Sequence, residues 1–215
     1  MISTNGSAEI HVKPDVADLS FEIDIRNVDL AAARKQQSAI AAKLLAALRA
    51  GGIAEPDLKT SQITVTPAWN ERRGTDPTTV KYYSVLQTVS CTVHDVDKVP
   101  DLTTSALNAG VTGVSPAVFR VTDLRKYRDQ ARVQAIRAAK EKAVALAGEL
   151  DAKAGKPYSI NETELYRYWG AGAMGNNSIQ NVSVAAPAGD DDALSSFAPG
   201  TITVTASIQV SFLLE

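Results

Sequence analysis

Two histidines, one cysteine and one glycine-rich run are the residues of this chain whose types could do chemistry. His11 and His94 have Glu9, Asp95 and Asp97 in their neighbourhoods, so metal binding is the first chemistry to consider. A zinc site needs three or four converging ligands, and neither His-x-His nor His-x-x-x-His spacing is present. No metal ligand is therefore expected. Cys91 alternates with Val89 and Val93, the placement of a small buried hydrophobe, with no second cysteine and no cationic neighbour to stabilise a thiolate. Serines are plentiful, but none stands in Gly-x-Ser-x-Gly, so Ser-His-Asp catalysis has no support. Gly170-Ala-Gly-Ala-Met-Gly175 matches a dinucleotide fingerprint by letter, yet no helix follows it and no acidic ribose partner is placed within a βαβ unit. It reads as a loop. No catalytic residue and no cofactor is assigned, and the chain is not expected to be an enzyme.

The aromatic residues suggest a surface instead. Tyr166, Tyr168 and Trp169 cluster at one root of a glycine-rich segment and Phe197 stands at the other, a composition suited to an interface with a partner. Charge excludes one class of partner. Twenty-two basic and twenty-four acidic side chains are dispersed with a net charge of −2, so no face would track phosphates and nucleic acid is not expected to bind. No apolar run is long enough to cross a bilayer, so no transmembrane segment is expected, and Met1-Ile2-Ser3 leads straight into a strand pattern.

The elements that would position these residues follow from periodicity. Ala8, Ile10 and Val12 alternate before Lys13-Pro14-Asp15, and Ala17, Leu19, Phe21, Ile23 and Ile25 alternate after it, which predicts a hairpin. Asp29 to Ala50 is helical, capped by Asp29 and stopped by Gly51-Gly52. A second hairpin is predicted from about Leu58 to Glu71 and from Lys81 to His94, joined by 72–79, with Ile63, Val65, Pro67 and Trp69 on one face. Asp95 to Ala109 reads as a shorter helix ending at Gly110, and Val114 to Val121 as a strand broken by Pro116.

From Asp123 to about Ala152 a helix of roughly 45 Å is expected, with Tyr127, Ala131, Ala135, Ile136, Ala139, Ala143, Leu146 and Leu150 as its buried stripe. Its other side carries Arg128, Arg132, Arg137, Lys140 and Lys142, interrupted by Asp129, Glu141 and Glu149, the pattern of a solvated face. Tyr158–Trp169 is a further strand. Residues 170–199 then form a long loop with the acidic run Asp190-Asp191-Asp192, too costly to order without a covering surface. Ile202, Val204, Ala206, Ile208, Val210, Phe212 and Leu214 close the chain as one strand with a buried face. The order is β-β-α-β-β-α-β-α-β-β, an α+β fold whose helices pack on one face of a largely antiparallel sheet. The chain reads as a single domain over 1–215, with an insertion at about 170–199.

The Pro14-Asp15 step followed by Ala17 and Leu19, Gly52-Ile53 before Asp57-Leu58-Lys59-Thr60-Ser61, and Pro67 with Trp69 together resemble the SIMPL-domain family. So do the run Ala138, Ala139, Lys142, Ala143, Leu146 and Ala147 and the ending Pro199-Gly200-Thr201-Ile202-Thr203-Val204. The resemblance covers the chain from about Ile2 to Leu214. It implies a periplasmic or secreted bacterial envelope protein, similar to the periplasmic immunogenic proteins, loosely linked to oxidative-stress tolerance and in some cases assembling into rings. The expected partners are further copies of the chain or another envelope protein. The alternative expectation is a small-molecule binding protein, or an enzyme using a pocket between sheet and helices.

Overall fold

The structure is a computed structural model that describes residues 1–69, 80–162 and 199–215. Its strands are β1 (Ile2–Val12), β2 (Val16–Asn27), β3 (Leu58–Thr60), β4 (Thr64–Trp69), β5 (Val80–Val93), β6 (Gly113–Val114), β7 (Val118–Arg120), β8 (Ala154–Glu162) and β9 (Ile202–Leu214). Its helices are α1 (Leu30–Ala50), α2 (Val99–Ala109) and α3 (Leu124–Gly148). The fold is α+β, and the chain divides into two compact units.

The first unit contains β1, α3, β8 and β9. Its sheet has the order β1-β9-β8, antiparallel throughout, so the closing strand β9 lies in the middle, and its unbroken alternation matches a sheet with one face buried and one wet. Asp123 starts α3, its side chain accepting from the Lys126 N–H at 3.0 Å. Beneath α3, Ile208, Val210 and Phe212 of β9 pack against Ala135, Ala139 and Ala143. A second cluster joins Val12, Val121, Ile202 and Val204 to Leu124 and Tyr127 at the helix N-terminus.

The helix sits close to β1. A Cβ built on Gly6 would overlap the Ala135 carbonyl oxygen and stand 2.9 Å from Ala139 Cβ, so only glycine fits there. Beside it, the buried Thr4 hydroxyl donates to the Ala139 carbonyl at 2.8 Å.

The second unit holds β2 to β7 with α1 and α2. Its sheet centres on the long pair β2–β5, with β3 and β4 in line on the outer side of β5 and β6 and β7 in line on the outer side of β2. Leu19, Phe21 and Ile23 of β2 and Val85, Val89, Cys91 and Val93 of β5 meet Leu44 and Leu48 of α1 and Leu102 and Ala106 of α2 in one core. The Asp29 carboxylate accepts from the Ala31 N–H at 2.8 Å at the start of α1. Gly110, at φ 98°, closes α2 in the left-handed conformation that favours glycine.

Four sequence expectations need correction. The Pro14-Asp15 step does not close a hairpin: β1 pairs with β9 and β2 with β5. Alternation assigns faces and leaves partners open. The small helix-facing residues Thr4, Gly6 and Ala8 fit only beneath α3, whereas Leu19, Phe21 and Ile23 need the deeper core of the second unit. The helix-bearing sheet is accordingly two sheets. On α3 the buried stripe is Ala131, Ala135, Ala139, Ala143 and Ala147, while Ile136, Leu146 and Leu150 are exposed. The close approach at Gly6 leaves room for methyl groups alone. Finally, the strand expected from Leu58 is two pieces separated at Ser61–Ile63 and β8 begins at Ala154, whereas the 114–121 segment breaks at Pro116 into β6 and β7 as expected.

Candidate functional site

Tyr166, Tyr168, Trp169 and Phe197, the interface candidates, lie outside the described residues, as do Gly170–Gly175 and the acidic run 190–192. The remaining candidates are placed. His11 Nδ1 is 3.1 Å from the Thr203 hydroxyl on the exposed face of the first unit. His94 Nε2 is 3.3 Å from the Asp57 carboxylate in the second. Among the described residues, no three metal-ligating side chains come together. Cys91 is buried between Leu19 and Leu58 on the neighbouring strands. Burial above all, helped by the negative charge of Asp18 and Asp57, pushes its thiol up to about 11, so it stays protonated and poorly nucleophilic at neutral pH.

The open face of the second unit's sheet carries a polar network. Arg120 donates two hydrogen bonds to the Asp18 carboxylate at 2.6 and 2.8 Å, and the Thr92 hydroxyl adds a third at 3.0 Å. The Arg120 contact outweighs the cost of partial burial and holds the Asp18 carboxyl below the usual carboxylate range. Further along, Asp24 accepts from the Ser84 hydroxyl and from Arg26, whose guanidinium lies 5.8 Å from the centre of the Tyr82 ring. Each carboxylate here is engaged in holding strands together. The network is structural.

A third polar group escaped the sequence reading. Gln87 occupies the helix-facing row of β5 between Val85 and Val89, and its side-chain oxygen accepts from Gln37 of α1 at 2.5 Å. Gln87 in turn donates to the Ser61 carbonyl at 3.2 Å, at the break between β3 and β4. Gln37 is buried, and its own side-chain oxygen has no hydrogen-bond partner among the described residues. The available signal was Gln87 standing in an otherwise apolar alternation.

Among the described residues, several exposed apolar side chains lie at sheet margins. On β4, Val65 and Trp69 are 40% and 50% exposed, and Ile63 just before the strand 38%. On β8, Ile160 faces the same side as the buried Val210 yet is 58% exposed, because α3 covers β1 and β9 rather than β8. The α3 flank facing β8 is identified by Arg132, which grips the Glu162 carboxylate at 2.8 Å. Ile136, Lys140 and Val144 follow on that flank at four-residue steps, all exposed. Among the described residues, no helix is long and apolar enough to cross a membrane.

These features define a class: an α+β protein of two antiparallel sheets, each with helices packed on one face and apolar side chains left on an outer strand. The chain belongs to the SIMPL family, described as a protein of unknown function (DUF541), whose model matches residues 2–212. It is 30% identical over 159 residues to the "Uncharacterized protein YggE" of Escherichia coli K12, which covers 74% of this chain and 64% of that protein. The protein of the same description from Edwardsiella ictaluri is 29% identical over the same length, covering 66% of that relative. The matched region thus spans just under two thirds of these relatives.

Proposed function

We propose that this chain is a non-enzymatic protein of the bacterial envelope, periplasmic or secreted, that works by associating with further copies of itself. The observation that carries this reading is the apolar surface on outer strands: Ile63, Val65 and Trp69 about β4 and Ile160 on β8. Exposed apolar groups beside open strand edges are a liability to a lone protein and an asset to an assembling one. The envelope placement and the loose link to oxidative-stress tolerance rest on the family. The chemistry of Cys91 bears on that link, since the chain's one cysteine is buried with a raised pKa. A contribution to stress tolerance would run through structure rather than thiol redox chemistry.

Light scattering behind a size-exclusion column tests the reading. A mass that is a multiple of 22.8 kDa is expected, and a single 22.8 kDa species at all loading concentrations would overturn it.

A further inference from the structure

The strand margins differ in how they are protected. β4 carries Pro67 and a register shift at Ala68/Trp69, β8 carries Pro157 with register shifts on both sides of it, and β6 and β7 are two and three residues long. Proline and bulges blunt an edge by removing donors and bending the strand away. β1 has none of these devices. It pairs with β9 without interruption from Ile2 to Val12, contains no proline or lysine, and among the described residues has no partner strand on its other side. Among the described residues, this open edge of 11 residues, about 37 Å long, is the longest at which a strand could add.

The geometry points to the outer edge of β1 as the contact between two copies of this chain, paired antiparallel about a two-fold axis at Ser7. The inference rests on the self-association proposed above and names its surface. Three features select a second copy as the occupant. First, centring on Ser7 pairs the whole strand with itself: Gly6 meets Ala8, Asn5 meets Glu9, Thr4 meets Ile10 and Ile2 meets Val12. No like charges oppose, whereas centring on Glu9 would set two carboxylates face to face.

Second, α3 lies over β1 and β9, with Ala135 and Ala139 above Gly6 and the β9 residues Ile208 and Val210 in the same cluster. Extending the sheet at a strand spacing of about 4.8 Å places the two α3 axes about 10 Å apart, the distance at which helices pack. Third, the α3 flank turned toward β1 suits that approach. Lys142, which donates to the Asn5 carbonyl, identifies it, and Gln130, Gln134 and Ala138 precede it at four-residue steps. With the helices antiparallel, the small Ala138 meets Gln134 and Lys142 meets Gln130, so no charge repels and the centre is not bulky. The result is a continuous sheet of six strands, β8-β9-β1 joined to its copy, under two adjacent helices.

Ser7 is exposed and sits on the proposed axis, so substitutions there report on the pairing directly. Ser7→Lys opposes two lysines in the pair and should lower the mass measured by light scattering at least two-fold, as should Ser7→Glu. Mixing the two variants should restore the parent mass, which no folding defect would allow. Ser7→Cys should cross-link copies under mild oxidation, because the Cα separation in an antiparallel pair suits a disulfide. Gln209→Cys, exposed on the central strand, should not. A monomeric parent would overturn both this inference and the self-association reading. An assembling parent with assembling Ser7→Lys and no Ser7→Cys cross-link would overturn the β1 contact alone and leave the broader reading standing.

Discussion

Replacing Gly6 with alanine adds one methyl group, and the structure indicates an effect far larger than a methyl group usually has. The new Cβ would overlap the Ala135 carbonyl oxygen and stand 2.5 Å from the Ala139 nitrogen, both backbone atoms that no rotamer change can move. Carbon contacts settle at about 3.5–4.0 Å, so α3 must lift by roughly 1 Å, which forfeits a quarter to a half of the dispersion well for each atom pair left apart. Lifting also stretches the Thr4–Ala139 hydrogen bond, worth about 1 kcal/mol. Overpacking of this kind costs about 1–3 kcal/mol, against which alanine in a strand recovers about 0.5–1 kcal/mol over glycine. The expected net loss is about 1–3.5 kcal/mol, or roughly 2–14 °C in melting temperature for a chain of this size. Differential scanning calorimetry of Gly6→Ala beside Ser7→Ala, the latter exposed and expected within about 0.5 kcal/mol of the parent, isolates the effect. A Gly6→Ala protein melting within 2 °C of the parent would refute the account of how α3 sits on β1.

Other outcomes are expected on the same footing. Ile208→Asp places a carboxylate in the buried centre of β9 and should cost several kcal/mol, seen as a loss of folded protein in urea titration; an unchanged midpoint would show that β9 is not a core strand. Cys91 should resist a disulfide reagent at pH 8 until the protein unfolds, and stoichiometric labelling of the native state within minutes would contradict its burial and raised pKa. Because that folded-state pKa lies above the unfolded value, the thiol's contribution to stability is present below about pH 8.5 and lost as pH rises toward 11, a trend that Cys91→Ala should flatten. For Asp18, whose pKa is lowered by Arg120, the sign reverses: its contribution is present above about pH 4 and lost as pH falls through the folded pKa. Asp18→Asn should therefore reduce acid sensitivity while costing less than about 1 kcal/mol at pH 7, and a variant with an unchanged acid-unfolding profile would refute this.

Element types were largely legible in the sequence because burial imposes a period. The alternation of β9, the Asp29 and Asp123 caps and the Gly110 stop each appear where local chemistry requires. Partners were not legible. Alternating residues on either side of Pro14 look like a hairpin whether or not the strands pair, and the choice was made by side-chain size against two different helices. The α3 stripe was misread for a related reason, since hydrophobicity ranks Ile136, Leu146 and Leu150 above alanine, while the space beneath the helix admits only alanine. Of the interaction surface, the sequence showed the common face of Ile63, Val65 and Trp69, but their exposure depends on how far α1 reaches across the sheet. Gln37 and Gln87 were invisible as a pair because they lie 50 residues apart on different elements.

The spacing of the five buried alanines on α3 says something about the sheet beneath them. An ideal helix advances about 100° per residue, so a four-residue repeat overshoots a full turn by about 40° for each 6 Å of rise. From Ala131 to Ala147 the buried line therefore winds about 160° around the helix in a right-handed sense, yet all five remain covered. A flat surface could not stay in contact with such a line. Neighbouring strands rotate by about 20–25° over 4.8 Å, so the normal of a twisted sheet turns by roughly 25–30° over the same 6 Å, in the same hand. The alanine spacing is thus a template for twist: it records in one helix the handedness and approximate rate at which β1 and β9 must coil, and a helix with its small residues at a seven-residue period would demand a flatter sheet.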